Sequence, residues 1–400
     1  MTSWTLVCRS LRHHARSHLG VLLGAAIGSA ILVGALVVGD SVRVSLRDLA
    51  LARLGKVQFA LASRDRFFRT QLAGGLQSAL PATAVAALQL PGIAVRADDT
   101  ARANRVQVIG VDGSFWQLSP GPVDSPALPG DAVWLNRRLA GRLDARVGDT
   151  IVLRVTKPSL LSRDAPVSPQ ENASMAMRLV VRRILADSDL GNFSLQANQI
   201  PPFNAFVSLA GLQAKLDLAG RANLLMVGGA PGKKPGSLDA GAASQPPSLD
   251  SVAAALRAHW QLADAQLELR PLPAAGALEL RTSRVFLDAN VSRAALGIDA
   301  HAGGVLTYFA NDLSTSRRAC PYSIVTAMCA PVVPAGMRDD EILINQWLAN
   351  DLKARPGSII SLKYYVVGTM RTLEERRQQF RVRAVLPMRG PAADRNLMPD

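Results

Sequence analysis

The fold is decided by residues 19–39, whose sequence is LGVLLGAAIGSAILVGALVVG. These 21 residues carry no charged side chain, and Ser29 is the one polar side chain among them. At about 1.5 Å of rise per residue, a helix of this length crosses the roughly 30 Å hydrocarbon core of a bilayer. The sequence therefore predicts a transmembrane helix near the N-terminus.

The charges that flank this stretch predict its orientation. Arg9, Arg12 and Arg16 precede it, and residues 1–39 contain no Asp or Glu. Positive residues stay on the cytoplasmic side of a membrane, so we expect residues 1–18 to form a cytoplasmic basic tail and residues 40–400 to be extracytoplasmic. A cleavable signal peptide is the alternative. Its apolar part would be only about 7–15 residues long, followed by a small-x-small cleavage site.

Small residues recur within the apolar stretch. Gly20, Gly24 and Gly28 are spaced four apart and would share one face of a helix. Such a face lets a second membrane helix approach closely, so these glycines are candidate helix-packing residues. The alternative is that Gly and Ala are simply frequent in this chain.

Residues 40–56 predict a stalk helix that continues out of the membrane. The stalk positions singled out by the sequence are Asp40, Val42, Leu46, Leu49 and Arg53. The last four keep helical spacing, and Gly55 stands where a helix C-cap belongs. Asp40 could either remain within a helix or cap a new one. Because the apolar spacing carries on across this junction, we expect one continuous helix.

Composition limits the classes of protein that the chain can belong to. With 400 residues and 48% hydrophobic content, the chain is long enough for an anchor and two or three domains. The net charge is +14, but the basic residues are dispersed and aromatic residues make up only 5%. Nucleic acid is therefore not an expected partner. Membrane lipid head groups and anionic surface polymers remain alternatives.

The chain has three cysteines, and the predicted topology separates them. Cys8 precedes the span, whereas Cys320 and Cys329 follow it and lie where disulfides persist. Since only eight residues separate the latter two, we expect Cys320 and Cys329 to lie close enough to form a disulfide, with two small buried thiols as the alternative.

Beyond the stalk, the sequence predicts an α+β fold with mixed helices and strands. Strand patterns occur at residues 57–61, 93–96, 106–111, 267–269, 278–280, 285–287 and 305–309, and helical patterns occur at residues 70–88, interrupted by Pro81, and 249–260. Residues 228–250 are rich in Gly, Pro and Ser and predict a flexible loop. The loop divides this part of the chain into a first region, residues 57–227, and a second, residues 251–400.

The two regions share a repeated element. Residues 135–153, LNRRLAGRLDARVGDTIVL, align without a gap with residues 344–362, INQWLANDLKARPGSIISL, at nine identical positions. Asn136 and Asn345 can each cap a helix, whereas Gly148 and Gly357 mark a turn before the next strand. Each copy is followed by a basic strand pattern, at residues 179–185 and 380–386. The repeat predicts two related strand–helix–strand units.

Sequence motifs for catalysis or ligand binding are weak, and we expect no catalytic, cofactor-binding or metal-binding residue. Residues 39–41, Gly-Asp-Ser, resemble an esterase nucleophile block, but no Asp-x-x-His pair follows to activate the serine. Residues 228–234, GGAPGKK, lack the spacing of a phosphate-binding loop. His14 and His18 share a helical spacing, but nearby Cys, Asp or Glu ligands are absent from the sequence.

Several stretches, taken in order, resemble the MacB/FtsX-like permeases of ABC transporters. They are GDSVRVSLRDLALARLGKVQFAL at residues 39–61, VQVIGVDGSFWQL at 106–118, the LNRRLA…VGDTIVL unit and PYSIV at 321–325. The resemblance implies an extracytoplasmic MacB-like core domain carried on a first transmembrane helix in a bacterial plasma membrane. It also implies a separate cytoplasmic ABC ATPase as partner and a dimer of permease subunits.

The chain departs from the family pattern in one respect. Members carry three further membrane helices after the core domain, whereas no charge-free run of spanning length follows Gly39. We therefore expect these residues to be the N-terminal part of a longer permease that transmits motion and performs no chemistry of its own. The alternative is a single-pass, membrane-anchored binding or adaptor protein.

Overall fold

The computed structural model describes residues 3–397, apart from 122, 124–126, 159–173, 230–246, 274–275, 285, 331 and 369–371. The chain forms two compact units. The first consists of Met1–Lys157 and Ser174–Ala265, and the second includes Gln266–Asp400. Most of the predicted loop at residues 228–250 lies outside the described residues.

The N-terminal region is helical. Helix α1, Ser3–His13, is followed after His14 by helix α2, Ala15–Leu54, which has 40 residues. The predicted continuity is confirmed, because α2 passes through Gly39 and Asp40 without a break. At 1.5 Å per residue α2 is about 60 Å long. Within the described residues, α2 is the one helix that is long and apolar enough to cross a membrane.

The first unit continues as a mixed α/β domain. In chain order its elements are β1 Val57–Ala62, β2 Phe68–Arg69, α3 Gln71–Ala79, β3 Thr83–Arg96, β4 Arg102–Val111, β5 Ala132–Asn136, α4 Arg137–Leu143, β6 Thr150–Thr156, β7 Ser174–Leu185, β8 Phe203–Ser208, α5 Leu209–Leu216, β9 Arg221–Ala222, β10 Leu224–Gly228 and α6 Leu249–His259. Eight strands form one sheet in the order β1-β10-β3-β4-β8-β5-β7-β6. Strand β6 also pairs with β3, so six strands form a closed ring.

The helix predicted over residues 70–88 is only half correct. Helix α3 ends at Ala79, just before Pro81, and residues 83–88 begin strand β3. All six of these residues are buried. A strand buried on both faces loses the apolar–polar alternation that identifies strands in sequence, and its alanines also favour helix.

Three apolar clusters form the core of the first unit. One fills the ring and the space under α4 and α5, and it includes Leu88, Val108, Leu135, Leu139, Ile151, Val181, Ala205 and Leu212. A second contains the aromatic residues Phe115, Trp116, Trp134, Phe193 and Phe206. The third joins Leu72 and Leu76 of α3 to Val252 and Ala255 of α6. Helix α6 packs on α3, and the second unit of the structure begins at Gln266, whereas the sequence predicted a second region at residues 251–400.

The second unit is smaller and strand-rich. Its elements are β11 Leu267–Leu272, β12 Ala277–Thr282, α7 Ala289–Leu296, β13 Leu306–Ser314, β14 Ala319–Ala327, β15 Glu341–Asn345, α8 Gln346–Leu352, β16 Ile359–Val367 and β17 Leu373–Leu386. Strands β11 and β12 form a hairpin, and the other five form a sheet in the order β14-β13-β16-β17-β15. The strand predicted at residues 285–287 is not formed by Phe286 and Leu287, and Val285 lies outside the described residues.

The repeated element folds the same way in both units, as the sequence predicted. Asn136 Oδ1 accepts the N–H of Leu139 at 3.0 Å, and Asn345 Oδ1 accepts the N–H of Leu348 at 2.9 Å. Gly148 has φ 98° and donates to the carbonyl of Val181, and Gly357 has φ 89° and donates to that of Val382. In each copy the first strand runs parallel to the last, with a register shift after its second residue. The two units therefore share a strand–helix–strand core.

The predicted disulfide is not formed. Cys320 and Cys329 are both free thiols, the first buried and the second exposed. Residues 319–327 are extended as β14, and at about 3.3 Å per residue such a strand carries its two ends more than 20 Å apart. Separation by eight residues would favour a bridge only if those residues formed a turn.

Candidate functional site at the end of the long helix

The C-terminal end of α2 is anchored in the first unit by an arginine. Arg53 is only 7% exposed, although the helix before it is largely exposed. Its guanidinium donates to the carbonyl oxygens of Asn198 and Gln199, the latter at 3.0 Å from Nη2. Leu54 packs against the aromatic cluster next to it. Two main-chain carbonyl groups therefore hold the guanidinium of Arg53 in place.

Helix α2 has its C-cap at Gly55, where the neighbouring atoms leave no room for a side chain. Its φ is 58°, which is the left-handed region that favours glycine. A Cβ at this position would lie 2.5 Å from the carbonyl oxygen of Leu118 and 2.7 Å from Cδ2 of Leu190. The N–H of Lys56 donates to that same Leu118 carbonyl at 2.8 Å. The chain therefore turns out of the helix in close contact with the domain, and the predicted C-cap is confirmed.

A rigid aromatic layer supports this contact. The 3₁₀ turn Gly113–Leu118 begins with Asp112, whose side chain accepts the N–H of Ser114 at 2.9 Å. This turn buries Phe115 and Trp116, whose ring centroids are 5.0 Å apart and edge-to-face. Trp116 also lies 5.0 Å from Trp134 of β5, and Phe115 lies 5.7 Å from Phe193. Such packing restricts the position of Leu118, on which the end of the helix rests.

The helix is also linked to the sheet through the main chain. Only Gly55 and Lys56 separate α2 from β1. Strand β1 pairs antiparallel with β10, and β10 pairs antiparallel with β3 of the ring. The end of α2 is thereby joined to the ring through two strand pairings. We name Arg53, Gly55, Leu118, Leu190, Asn198 and Gln199 the helix socket.

Of the stalk residues predicted from sequence, the structure brings one into the socket. Arg53 lies there, whereas Val42 and Leu49 are each 52% exposed and Leu46 is half-buried. Asp40 is exposed and lies 3.6 Å from the guanidinium of Arg43, one turn further along. Gly20, Gly24 and Gly28 all lie on α2, where an added Cβ would meet nothing within 4 Å. Their role in helix packing stays a prediction.

The other socket residues were not found from sequence. Leu118, Leu190 and Gln199 are 62 to 146 positions away from the residues that they contact, and all three polar contacts use main-chain carbonyl groups. Every residue has a main-chain carbonyl group, so the sequence does not indicate which of these groups makes a contact. The one available signal was the aromatic VDGSFWQL segment, since a turn that buries two adjacent aromatic residues belongs to a packed core.

A buried ion pair fixes the last residues of the first unit. The guanidinium of Arg69 on β2 donates to both carboxylate oxygens of Asp264, with Nη2 to Oδ2 at 2.7 Å and Nε to Oδ1 at 2.9 Å. The side chain of Asp264 is fully buried. Burial alone would raise the pKa of Asp264, but hydrogen bonds from Arg69 and from the N–H of Gln261 together hold this pKa below its ordinary value.

The described part of the chain holds no group of three or more His, Cys, Asp or Glu side chains that could bind a metal ion. Residues 39–41, which resemble an esterase nucleophile block, lie inside α2. The socket holds the end of α2 through hydrogen bonds to Arg53 and close packing around Gly55.

Comparison with known proteins gave structural similarity only. No protein-family model matches the chain, and no curated protein matches it. The periplasmic region of MacB from Actinobacillus actinomycetemcomitans aligns at 10% identity over 44% of this chain and 75% of its own length, with a TM-score of 0.28. The extracellular domain of the noncanonic ABC-type transporter YknZ from Gram-positive bacteria aligns at 10% identity over 50% and 87%, with a TM-score of 0.29. Structural similarity at these scores does not assign a function to the chain.

Proposed function

We propose that the chain is the N-terminal part of a permease subunit of an ABC transporter of the MacB/FtsX-like mechanotransmission type. In this proposal a separate cytoplasmic ATPase moves the membrane half of α2, and α2 passes that movement to the extracytoplasmic ring. The chain itself performs no chemistry. The observation that carries the proposal is the 40-residue helix whose far end is fixed in the socket by Arg53 and Gly55.

The exposed surface of α2 supports its placement in a bilayer. Every residue of the 19–39 stretch is exposed in the described structure, and Ser29 is its one polar side chain. A contiguous apolar surface of this size is unfavourable in water but matches lipid. With residues 19–39 in the hydrocarbon core, the remaining 15 residues of α2 extend about 22 Å beyond it to the socket.

Continuity of the helix supports transmission rather than simple tethering. A flexible tether would absorb a tilt or rotation, whereas an unbroken helix resists bending unless Pro or a hydrogen-bond defect interrupts it. Residues 15–54 contain no proline. We also propose that two permease subunits associate through their membrane helices, with Gly20, Gly24 and Gly28 at the contact.

Isolation of the intact protein with its partners tests this function. The protein would be tagged at the C-terminus of its complete reading frame, expressed at its natural level, cross-linked in membranes and purified in mild detergent. We expect an ATPase subunit with a phosphate-binding loop to copurify and to hydrolyse ATP in the complex. A cross-linked complex that contains only extracytoplasmic proteins, and no ATPase, would favour the membrane-anchored adaptor instead.

A further inference from the structure

The second unit repeats more of the first than the sequence repeat covers. In the first unit β3 pairs antiparallel with both β4 and β6, and in the second β13 pairs antiparallel with both β14 and β16. The registers agree. Leu153 of β6 lies opposite Ala94, and its repeat counterpart Leu362 lies opposite Leu313. Strands β13, β14, β15, β16 and β17 therefore correspond in order to β3, β4, β5, β6 and β7.

The ring of the first unit has one strand more than the sheet of the second. Strand β8 lies between β4 and β5, parallel to the first and antiparallel to the second. The sheet of the second unit begins with β14 and ends with β15, which are the counterparts of these two strands. Among the residues that the structure describes, no strand pairs with the outer edge of either. The repeat thus assigns one position, between β14 and β15, to a sixth strand.

Burial differs between the units at this same position. All five residues of β5 are buried, whereas Ile344 alone is buried in β15. The last four residues of β4 are buried, whereas the corresponding end of β14, residues 324–327, is half-buried or exposed. Exposed sheet edges with apolar side chains promote pairing with another strand.

The chain that follows the repeat returns to the same place in both units. Asn136 Nδ2 donates to the carbonyl of Pro202 at 2.9 Å, immediately before β8, and Asn136 Oδ1 accepts the N–H of Asn204 in β8 at 3.2 Å. Asn345 Nδ2 lies 3.5 Å from the carbonyl of Ala392, in the 3₁₀ turn Gly390–Ala393 that follows β17. The chain after β17 therefore comes close to the N-cap residue of α8. In the first unit, the chain before β8 comes close to the N-cap residue of α4 in the same way.

We propose that the polypeptide on the C-terminal side of residue 397 supplies a sixth strand that inserts between β14 and β15 and closes a second ring. The strand runs parallel to β14 and antiparallel to β15. It places small apolar residues inward, as β8 does with Ala205 and Val207, and donates a main-chain N–H to Oδ1 of Asn345. The second unit then has the same closed ring as the first.

Amide hydrogen exchange tests this inference without reference to transport. The protein made from its complete reading frame would be compared, in nanodiscs, with a form that stops after Asp400. In the complete protein we expect those amides of residues 342–344 whose N–H faces away from β17 to exchange at least ~100-fold more slowly than in the shorter form. Their counterparts, residues 133–135 of β5, should exchange equally slowly in both forms, and β16 and β17 report that the second unit is folded.

Each other outcome counts against the proposal. Fast exchange of these same amides in both forms shows that no further strand pairs with the outer edge of β15, and a reading frame without further codons removes the donor. Slow exchange in both forms shows that the edge is covered within the first 400 residues, or by a second copy if the protection depends on concentration. If the shorter form fails to fold, the test uses the complete protein alone. The proposal then requires slow exchange both at residues 342–344 and in a segment beyond residue 397.

Discussion

The Nη2 atom of Arg53 lies 3.0 Å from the carbonyl oxygen of Gln199, a residue 146 positions further along the chain. This contact joins the end of a helix that can cross a membrane to the loop that precedes β8 of the ring. A buried arginine is expensive to place unless its donors are satisfied, so the contact is specific to one helix orientation. Residues at this junction are the first that we would change.

Replacement of Gly55 by Ala should loosen the end of the helix. The left-handed φ of 58° and the approach of Leu118 and Leu190 both oppose a side chain, so we expect a loss of about 2 kcal/mol or more in the free energy of local opening. Hydrogen exchange of residues 53–57 measures it. Gly74→Ala in α3 is the control, since its Cβ would meet nothing within 4 Å, and it should leave stability unchanged or raise it by up to about 1 kcal/mol.

Acid should weaken the first unit through Asp264. The pKa of this carboxyl is lowered in the folded state, so its contribution is fully present above the unfolded value of about 3.9 and is lost as pH falls through the folded value. We expect Asp264→Asn to cost about 3 kcal/mol at pH 7, because it leaves Arg69 without its charge partner, and to flatten the stability profile below pH 4. The exposed Asp48→Asn serves as control. An unchanged acid profile in Asp264→Asn would contradict the assignment.

The two cap asparagines should differ in importance, although they occupy equivalent positions. Asn136 makes its cap bond and three more, to Asn192, Pro202 and Asn204, while the structure gives Asn345 its cap bond and one contact at 3.5 Å. Replacement by Ala should cost about 3 kcal/mol at Asn136 and about 1 kcal/mol at Asn345. Exchange of the α4 and α8 amides gives both values. Equal costs would show that the network around Asn136 adds nothing.

The native cysteines can establish the orientation of α2. In spheroplasts, a membrane-impermeant maleimide should label the exposed Cys329 at once, Cys8 only after permeabilisation, and the buried Cys320 only after unfolding. Single-cysteine variants assign each signal. Labelling of Cys8 before permeabilisation would reverse the predicted topology, and a mature protein that lacks Cys8 would indicate a cleaved signal peptide.

Local features of this structure could be predicted from the sequence. The span, the cap at Gly55 and the repeated units each follow from residues within a few positions of one another, whose spacing reflects helix or turn geometry. The first part of strand β3 was missed because burial on both faces removes alternation. The expected proximity of Cys320 and Cys329 was wrong because β14 is extended between the two cysteines. The socket could not be predicted, since its partners meet only through the tertiary fold and act through main-chain carbonyls.

The central claim is that α2 transmits movement to the socket, and a helix break at Val42 tests it most directly. Val42→Pro should remove a hydrogen bond and kink α2 just outside the membrane, at a cost of roughly 3 kcal/mol, while Val42→Ala keeps the helix intact. A spin label at the exposed Ala197→Cys, in a protein whose three native cysteines are replaced by serine, reports on the socket next to Asn198. In the complex with the proposed ATPase, we predict that the spectrum changes between ATP-bound and nucleotide-free states in the Val42→Ala variant. In Val42→Pro the change should be lost while ATP is still hydrolysed. An equal nucleotide-dependent change in both variants would show that α2 is only a tether.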